Sequence, residues 1–251
     1  MIKAERFERI LDELAKRGVL SVQELATMLG VSEATVRRDL TELDEKGLAQ
    51  RTHGGGTLRS SDDELPYPYK ATAYLAEKRR IAARVASYIR PHQVVGCTGG
   101  TTVTQIVRAL RGKPLRLVTN AVNLALELAN TPEIEVLITG GIFRGRSYEL
   151  SGHVAERALQ DVHLDVVILG IDGLSLDYGL STYSHAEAQV CRVLIGRARE
   201  VWAVADHGKL GQVRPAIIGP LGCLHKLVTD SGAPKELVET LRETGLEVIT
   251  V

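Results

Sequence analysis

The sequence predicts an α/β protein in two unequal parts, an N-terminal winged helix-turn-helix and a C-terminal α/β domain on a largely parallel sheet. Three observations predict it. Residues 1–58 run helix, short helix, glycine turn, helix and glycine-rich hairpin. From residue 73 to residue 251, apolar runs of strand length alternate with helical runs. Between the two, residues 59–72, RSSDDELPYPYKAT, fit neither pattern. Pro66 and Pro68 each disfavour helix in the residue before them, so this piece reads as a semi-rigid linker.

The first helix is expected over residues 3–16, with Phe7, Ile10, Leu11 and Leu14 on one face and Gly18 beyond its end. The second starts at Ser21, which with Glu24 makes a capping box, and closes at Gly30. The third runs from Ser32 to about Lys46 and ends at Gly47. On it Val36, Leu40 and Leu43 share one face and must pack inward. Arg38 points the opposite way, beside Ala34 and Thr41, with Arg37 on the flank and Ser32 and Thr35 in the first turn. Those are the groups a helix presents to a major groove. A guanidinium pairs bidentately with guanine, and first-turn N–H groups and hydroxyls suit phosphate oxygens. LAQRTHGGGTLR then reads as two strands about a glycine turn, with Arg51 supporting at the wing.

In the second part the strand runs are QVVGC, LRLVTN, IEVLITG, DVVILGI, EVWAVAD, KLVTD and LEVITV. Helical runs cover 74–90, 102–111, 121–130, 153–162, 185–198 and 234–244. This alternation predicts helices on both faces of the sheet. VVGCTGGTTVTQIV reads as a strand end, a glycine turn and a helix start. Gly99 and Gly100 let backbone approach an anion, while Thr98, Thr101 and Thr102 add hydroxyls, three features of a phosphate cradle. Asn120, Asp172 and residues 206–209, including Lys209, follow other strands, where open α/β sheets bind ligands. Arg144 and Arg146 are read either as phosphate contacts or as solvated charges, and His185 as a helix cap or a ligand contact.

Composition bounds the partners. Hydrophobic residues are 44% and charged residues 25%, ordinary for a globular chain, and the formal net charge of zero argues against a histone-like binder. Cys97, Cys191 and Cys223 are odd in number and make no C-x-x-C pair, which predicts a reducing cytoplasm. The charged, periodic N-terminus does not read as a signal peptide, and no apolar run approaches the ~20 residues that span a bilayer. No cofactor and no metal site is expected.

GVLSVQELATMLGVSEATVRRDLTELDEKGLAQRTHGGG closely resembles the DNA-binding domain of the DeoR-type bacterial transcription regulators. That family's V-S-x-x-T-[IV]-R-R-D-L stretch, following Gly and R-x-x-G-G are matched by Val31, Ser32, Thr35, Val36, Arg37, Arg38, Asp39, Leu40, Gly47, Arg51, Gly54 and Gly55. Residues 73–251 resemble its sensor domain through GGTT, TNA, TGG, SGHVAE, LDVVILGIDGL, GLST, ADHGKLG and VTD. The resemblance implies a fold similar to ribose-5-phosphate isomerase, a repressor of a sugar or polyol catabolic operon, and a homo-oligomer, dimer or tetramer, reading double-stranded operator DNA. It implies a phosphorylated sugar as effector, held by Thr98, Gly99, Gly100, Thr101 and Thr102, with Asn120, Asp172, Glu187 and Lys209 taking its hydroxyls or charge. Thr98 departs from the Asp that many members carry there. Two other readings stay open. One is a sugar-phosphate isomerase, for which Asp172, Glu187 and Lys209 are the acid–base candidates but GIDGLS has a single acid and no role exists for a DNA-reading module. The other is a DNA-binding protein whose α/β domain only oligomerises.

Overall fold

The structure, a computed structural model, describes residues 3–58 and 64–251 and divides into two compact units, Met1–Leu65 and Pro66–Val251.

The first unit holds α1 (Lys3–Arg17), β1 (Val19–Ser21), α2 (Val22–Leu29), α3 (Glu33–Glu45), β2 (Gln50–Arg51) and β3 (Gly55–Thr57). Phe7, Ile10, Leu11 and Leu14 of α1 are buried with Leu25 of α2 and with Val36, Leu40 and Leu43 of α3. The predicted capping box opens α2, with the Ser21 hydroxyl accepting from the Glu24 N–H at 3.1 Å and the Glu24 carboxylate accepting from the Ser21 N–H at 2.8 Å. Gly30 closes α2 in the left-handed region, at φ 63°. The hairpin strand β3 also pairs with β1, a three-residue strand too short for periodicity to show. This pairing explains two of the hairpin glycines. A Cβ on Gly55 would lie 1.9 Å from the Leu20 carbonyl oxygen, and one on Gly56 would lie 2.7 Å from the Leu40 side chain.

The second unit contains α4 (Tyr67–Lys70), α5 (Leu75–Tyr88), β4 (Val94–Cys97), α6 (Thr101–Ala109), β5 (Leu115–Thr119), α7 (Val122–Glu127) and β6 (Ile134–Ile138). Next come a hairpin of β7 (Ile142–Arg144) and β8 (Glu149–Ser151), then α8 (His153–Ala158), β9 (Leu164–Gly170), β10 (Gly173–Ser175) and β11 (Gly179–Thr182). The chain ends with α9 (His185–Arg197), β12 (Ala198–Val204), β13 (Ala216–Gly219), β14 (Lys226–Thr229), α10 (Lys235–Glu243) and β15 (Glu247–Thr250). All seven predicted strands pair in parallel, in the order β15-β14-β12-β9-β4-β5-β6. Their side chains alternate between two buried layers. Val166, Ile168, Trp202 and Cys97 face α5 and α6, while Val167, Leu169 and Ala203 face α9 and α10 with Cys191. Burial on both faces is why the central strands β4, β9, β12 and β14 read as apolar runs, while the edge strand β6 leaves Leu137 and Ile138 exposed. A small antiparallel sheet of β10, β11 and β13 escapes the sequence reading.

The region read as a linker, 59–72, needs correction. Residues 59–63 lie outside the described residues, and residues 66–72 are folded into the second unit. No helix among the described residues is long and apolar enough to cross a membrane.

Candidate functional site

In the first unit, α3 carries the residues predicted to meet DNA. Ser32 caps the helix, accepting from the Thr35 N–H at 3.2 Å, and the two hydroxyls lie 2.9 Å apart. Arg38 is exposed and pairs with nothing among the described residues. Arg37 is also exposed, with Glu33 one turn earlier at 2.9 Å. Arg51 donates to the Thr41 hydroxyl at 3.1 Å, which ties the hairpin to α3. Asp39 does different work: it is buried, and the Arg6 guanidinium grips it bidentately at 2.7 and 3.0 Å, locking α1 to α3.

In the second unit, strand order reverses between β4 and β9, and ligands in open α/β sheets bind outside the carboxyl ends of strands at such a switch point. The glycine turn follows β4 there, and Asp172 follows β9. The two loops touch backbone to backbone, since a Cβ on Gly170 would sit 2.4 Å from the Gly99 carbonyl oxygen. Gly100, at φ 114° and ψ 154°, opens α6 in a conformation that L side chains rarely adopt. Thr101 and Thr102 begin that helix.

Thr98 requires a correction. Its hydroxyl accepts from the Gly170 N–H at 2.9 Å and the residue is 1% exposed, so it splices β4 to β9 instead of facing a ligand. Asn120 is equally buried; its amide donates to the Leu150 carbonyl at 3.1 Å, while its Oδ1 finds no partner. His185 is exposed in the first turn of α9, and Ser184 is the cap.

Charged groups converge on the switch point. Lys70 lies 3.4 Å from Asp172, which also accepts from the Thr182 hydroxyl at 2.9 Å. Burial pushes the Asp172 carboxyl up, but Lys70, Lys209 and the Thr182 hydroxyl outweigh it and hold it below the usual range. Glu187 is buried on α9, with Arg144 at 3.2 Å and the Ser147 hydroxyl donating to it. Arg146 is exposed. Glu149 packs its carboxyl against Gly99 of the cradle; burial first, then the charges of Glu187 and Asp172, push that carboxyl well above the usual range.

Lys70 and Glu149 are the functional candidates missed by sequence reasoning. Lys70 stood in the supposed linker, and Glu149 sits on a three-residue strand. Around Lys70 the chain forms a strap. The Tyr67 hydroxyl lies 2.6 Å from that of Thr104 on α6 and accepts from Asn123 on α7 at 3.1 Å. Its backbone N–H donates to the Arg146 carbonyl at 2.7 Å, and its ring packs on Tyr148. Buried Lys78 donates to the carbonyls of Lys70 and Ala73 and lies 3.7 Å from Asp206. Asp206 caps the His207–Lys209 turn, and Asp230 fixes it by accepting from the His207 N–H at 2.8 Å. A hollow of about 380 Å³ near His92, Pro114 and Glu133 lies at the other end of the sheet, away from the switch point.

A helix presenting exposed arginine beside a glycine hairpin, carried in one chain with an α/β unit, marks the class of DNA-binding regulators. Comparison with known proteins agrees. Residues 6–62 match the DeoR-like helix-turn-helix domain and residues 74–231 the DeoR C-terminal sensor domain. The chain is 33% identical to the HTH-type transcriptional repressor CsqR of Escherichia coli K12, over 97% of this chain and 94% of that protein. It is 34% identical to the HTH-type transcriptional regulator GlpR of Haloferax volcanii (99% and 98%) and 30% identical to the glycerol-3-phosphate regulon repressor of E. coli K12 (99% and 99%). Among solved structures, ribose 5-phosphate isomerase A of Methanocaldococcus jannaschii aligns with TM-score 0.42 at 14% identity, over 55% of each chain. The protein belongs to the DeoR family and is a DNA-binding transcriptional repressor.

Proposed function

We propose that this repressor controls a sugar or polyol catabolic operon from the cytoplasm, as a homo-oligomer, and that a phosphorylated sugar bound at the switch point relieves or modulates its hold on operator DNA. Residues 1–58 read DNA, with Arg38 on base edges and Ser32, Thr35, Arg37 and Arg51 positioning the backbone. Residues from 66 onward sense the ligand. Gly99, Gly100, Thr101 and Thr102 take the phosphate, and Asn120, Asp172, Glu187, Lys209 and Lys70 take hydroxyls or charge. The observation that carries this reading is the glycine-opened N-terminus of α6 at the strand-order reversal, with Lys70 and Lys209 acting on the same buried carboxylate. A relative named for a glycerol-3-phosphate regulon supports a phosphorylated polyol as the ligand class. The strap offers a route for the signal. Lys70 both pairs with Asp172 and closes α4, the first helix after the DNA-reading unit in the chain.

Fluorescence anisotropy on DNA from immediately upstream of its own gene, at fixed salt and with a panel of sugar phosphates, tests this. One phosphate should shift specific binding; specific binding that no phosphate shifts, together with no thermal stabilisation by any of them, supports a domain that only oligomerises. Lys209→Ala is expected to raise the phosphate concentration needed for half-response about tenfold while leaving effector-free DNA affinity unchanged; a parental dose response removes Lys209 from the site. Tyr67→Phe deletes the hydroxyl shared with Thr104 and Asn123 but keeps the ring on Tyr148. It should shrink the effector's shift of operator affinity, typically about 5- to 150-fold, toward unity. An undiminished shift, read in the same titration, would mean that the signal does not pass through the strap.

A further inference from the structure

We propose that Glu149 is a built-in competitor for the ligand's anionic group, occupying the space over Gly99 that a phosphate needs and making anion binding depend on a proton. This rests on the reading of the glycine turn as the anion cradle.

The geometry is direct. The Glu149 side chain lies against the α-carbon of Gly99, so that a Cβ there would come within 2.1 Å of the carboxyl oxygen and 2.5 Å of Cγ. The backbone aims it. Residue 149 bridges to Ala121, the Leu150 N–H donates to the Asn120 carbonyl at 2.7 Å, and the Val122 N–H donates to the Tyr148 carbonyl at 3.0 Å. The β7–β8 hairpin is thereby fastened to the loop after β5 and delivers one carboxyl group into the mouth of the switch point.

The surroundings decide what that group does. Glu187 and Cys191 of α9, Asp172 after β9 and Lys70 of α4 act electrostatically with it, and Arg144 of β7 neutralises Glu187. With all three carboxyls ionised, Lys70, Lys209 and Arg144 only balance them, and an arriving dianion gains no net attraction. When Glu149 carries a proton the site gains one positive charge relative to the ionised form, and the neutral carboxyl no longer repels an anion arriving over Gly99. Burial beside two like charges favours that proton. Anion binding therefore takes up a proton, or retains one, at Glu149.

Sulfate is the probe, because its charge stays fixed where inorganic phosphate titrates. Sulfate affinity of the full chain would be measured by calorimetry from pH 5.5 to 8.5, beside Glu149→Gln. The carboxamide has the carboxyl's size and shape, so the fold survives, and it cannot ionise. The parent is expected to lose on the order of tenfold in affinity across this range, while the variant holds the parent's acidic-end affinity throughout. Glu149→Ala should likewise bind at least as tightly as the parent at the alkaline end. A variant with the parent's pH profile, or one that binds more weakly at every pH, overturns the competitor role but leaves the cradle standing. If neither the parent nor Glu149→Gln binds sulfate or a sugar phosphate, the cradle reading fails and the competitor falls with it.

Discussion

Arg38→Ala is expected to lose about 5- to 150-fold of its preference for operator over unrelated DNA, the equivalent of the ~1–3 kcal/mol that one bidentate guanidinium–guanine pair discriminates. The reasoning starts from the face it occupies. Val36, Leu40 and Leu43 are fully buried, so the opposite side of α3 is fixed outward, and Arg38 stands there without an intramolecular partner among the described residues. Arg37 differs, since Glu33 shares its charge at 2.9 Å. Arg37→Ala should weaken binding to all DNA about equally, as loss of a phosphate contact does, and flatten the salt dependence by about one unit of slope. Anisotropy titrations against operator and scrambled duplexes at several salt concentrations separate the two. Neither change touches the core, so melting should be unaltered. If Arg38→Ala keeps the parent's operator preference, the bases are read by another group on α3.

Most of this architecture was legible because it rests on long, repeated signals. Phe7, Ile10, Leu11 and Leu14 recur at helical spacing, and the central strands of the parallel sheet are apolar on both faces. The turn that opens α6 was marked by its own residues, Gly99 and Gly100. The interior of the site was less legible, because a sequence does not say which way a polar side chain is spent. Thr98 looks like a ligand hydroxyl in TGGTT, yet the Gly170 N–H claims it. Glu149 lies on a strand of three residues, in the antiparallel hairpin β7–β8, with no periodicity to mark it. Lys70 was hidden by Pro66 and Pro68, which break helical pattern locally but here introduce the short helix α4. Gly55 and Gly56 carried the hairpin prediction correctly, but for packing against Leu20 and Leu40 as much as for the turn. In each case the deciding contact is made by a residue far away in the chain.

Asp39 gives the largest expected effect on stability. It is 1% exposed, and both of its carboxylate oxygens accept from Arg6 across the α1–α3 contact. Asp39→Ala removes both acceptors of the bidentate contact between α1 and α3, and breaking a buried pair from one side is strongly destabilising. A DNA-binding unit of this size has little stability to spare. The variant should therefore show two thermal transitions, an early one with loss of operator binding and a late one from the unit beginning at Pro66. The pair need not add net stability over an apolar contact, because desolvating both charges offsets much of their attraction. Arg6→Met combined with Asp39→Leu should accordingly recover most of the lost stability, while either change alone does not. Differential scanning calorimetry of the three variants decides the matter: a parental first transition in Asp39→Ala would show that the bidentate pair does not hold α1 against α3, and a double variant no better than the singles would show that the charges themselves are required.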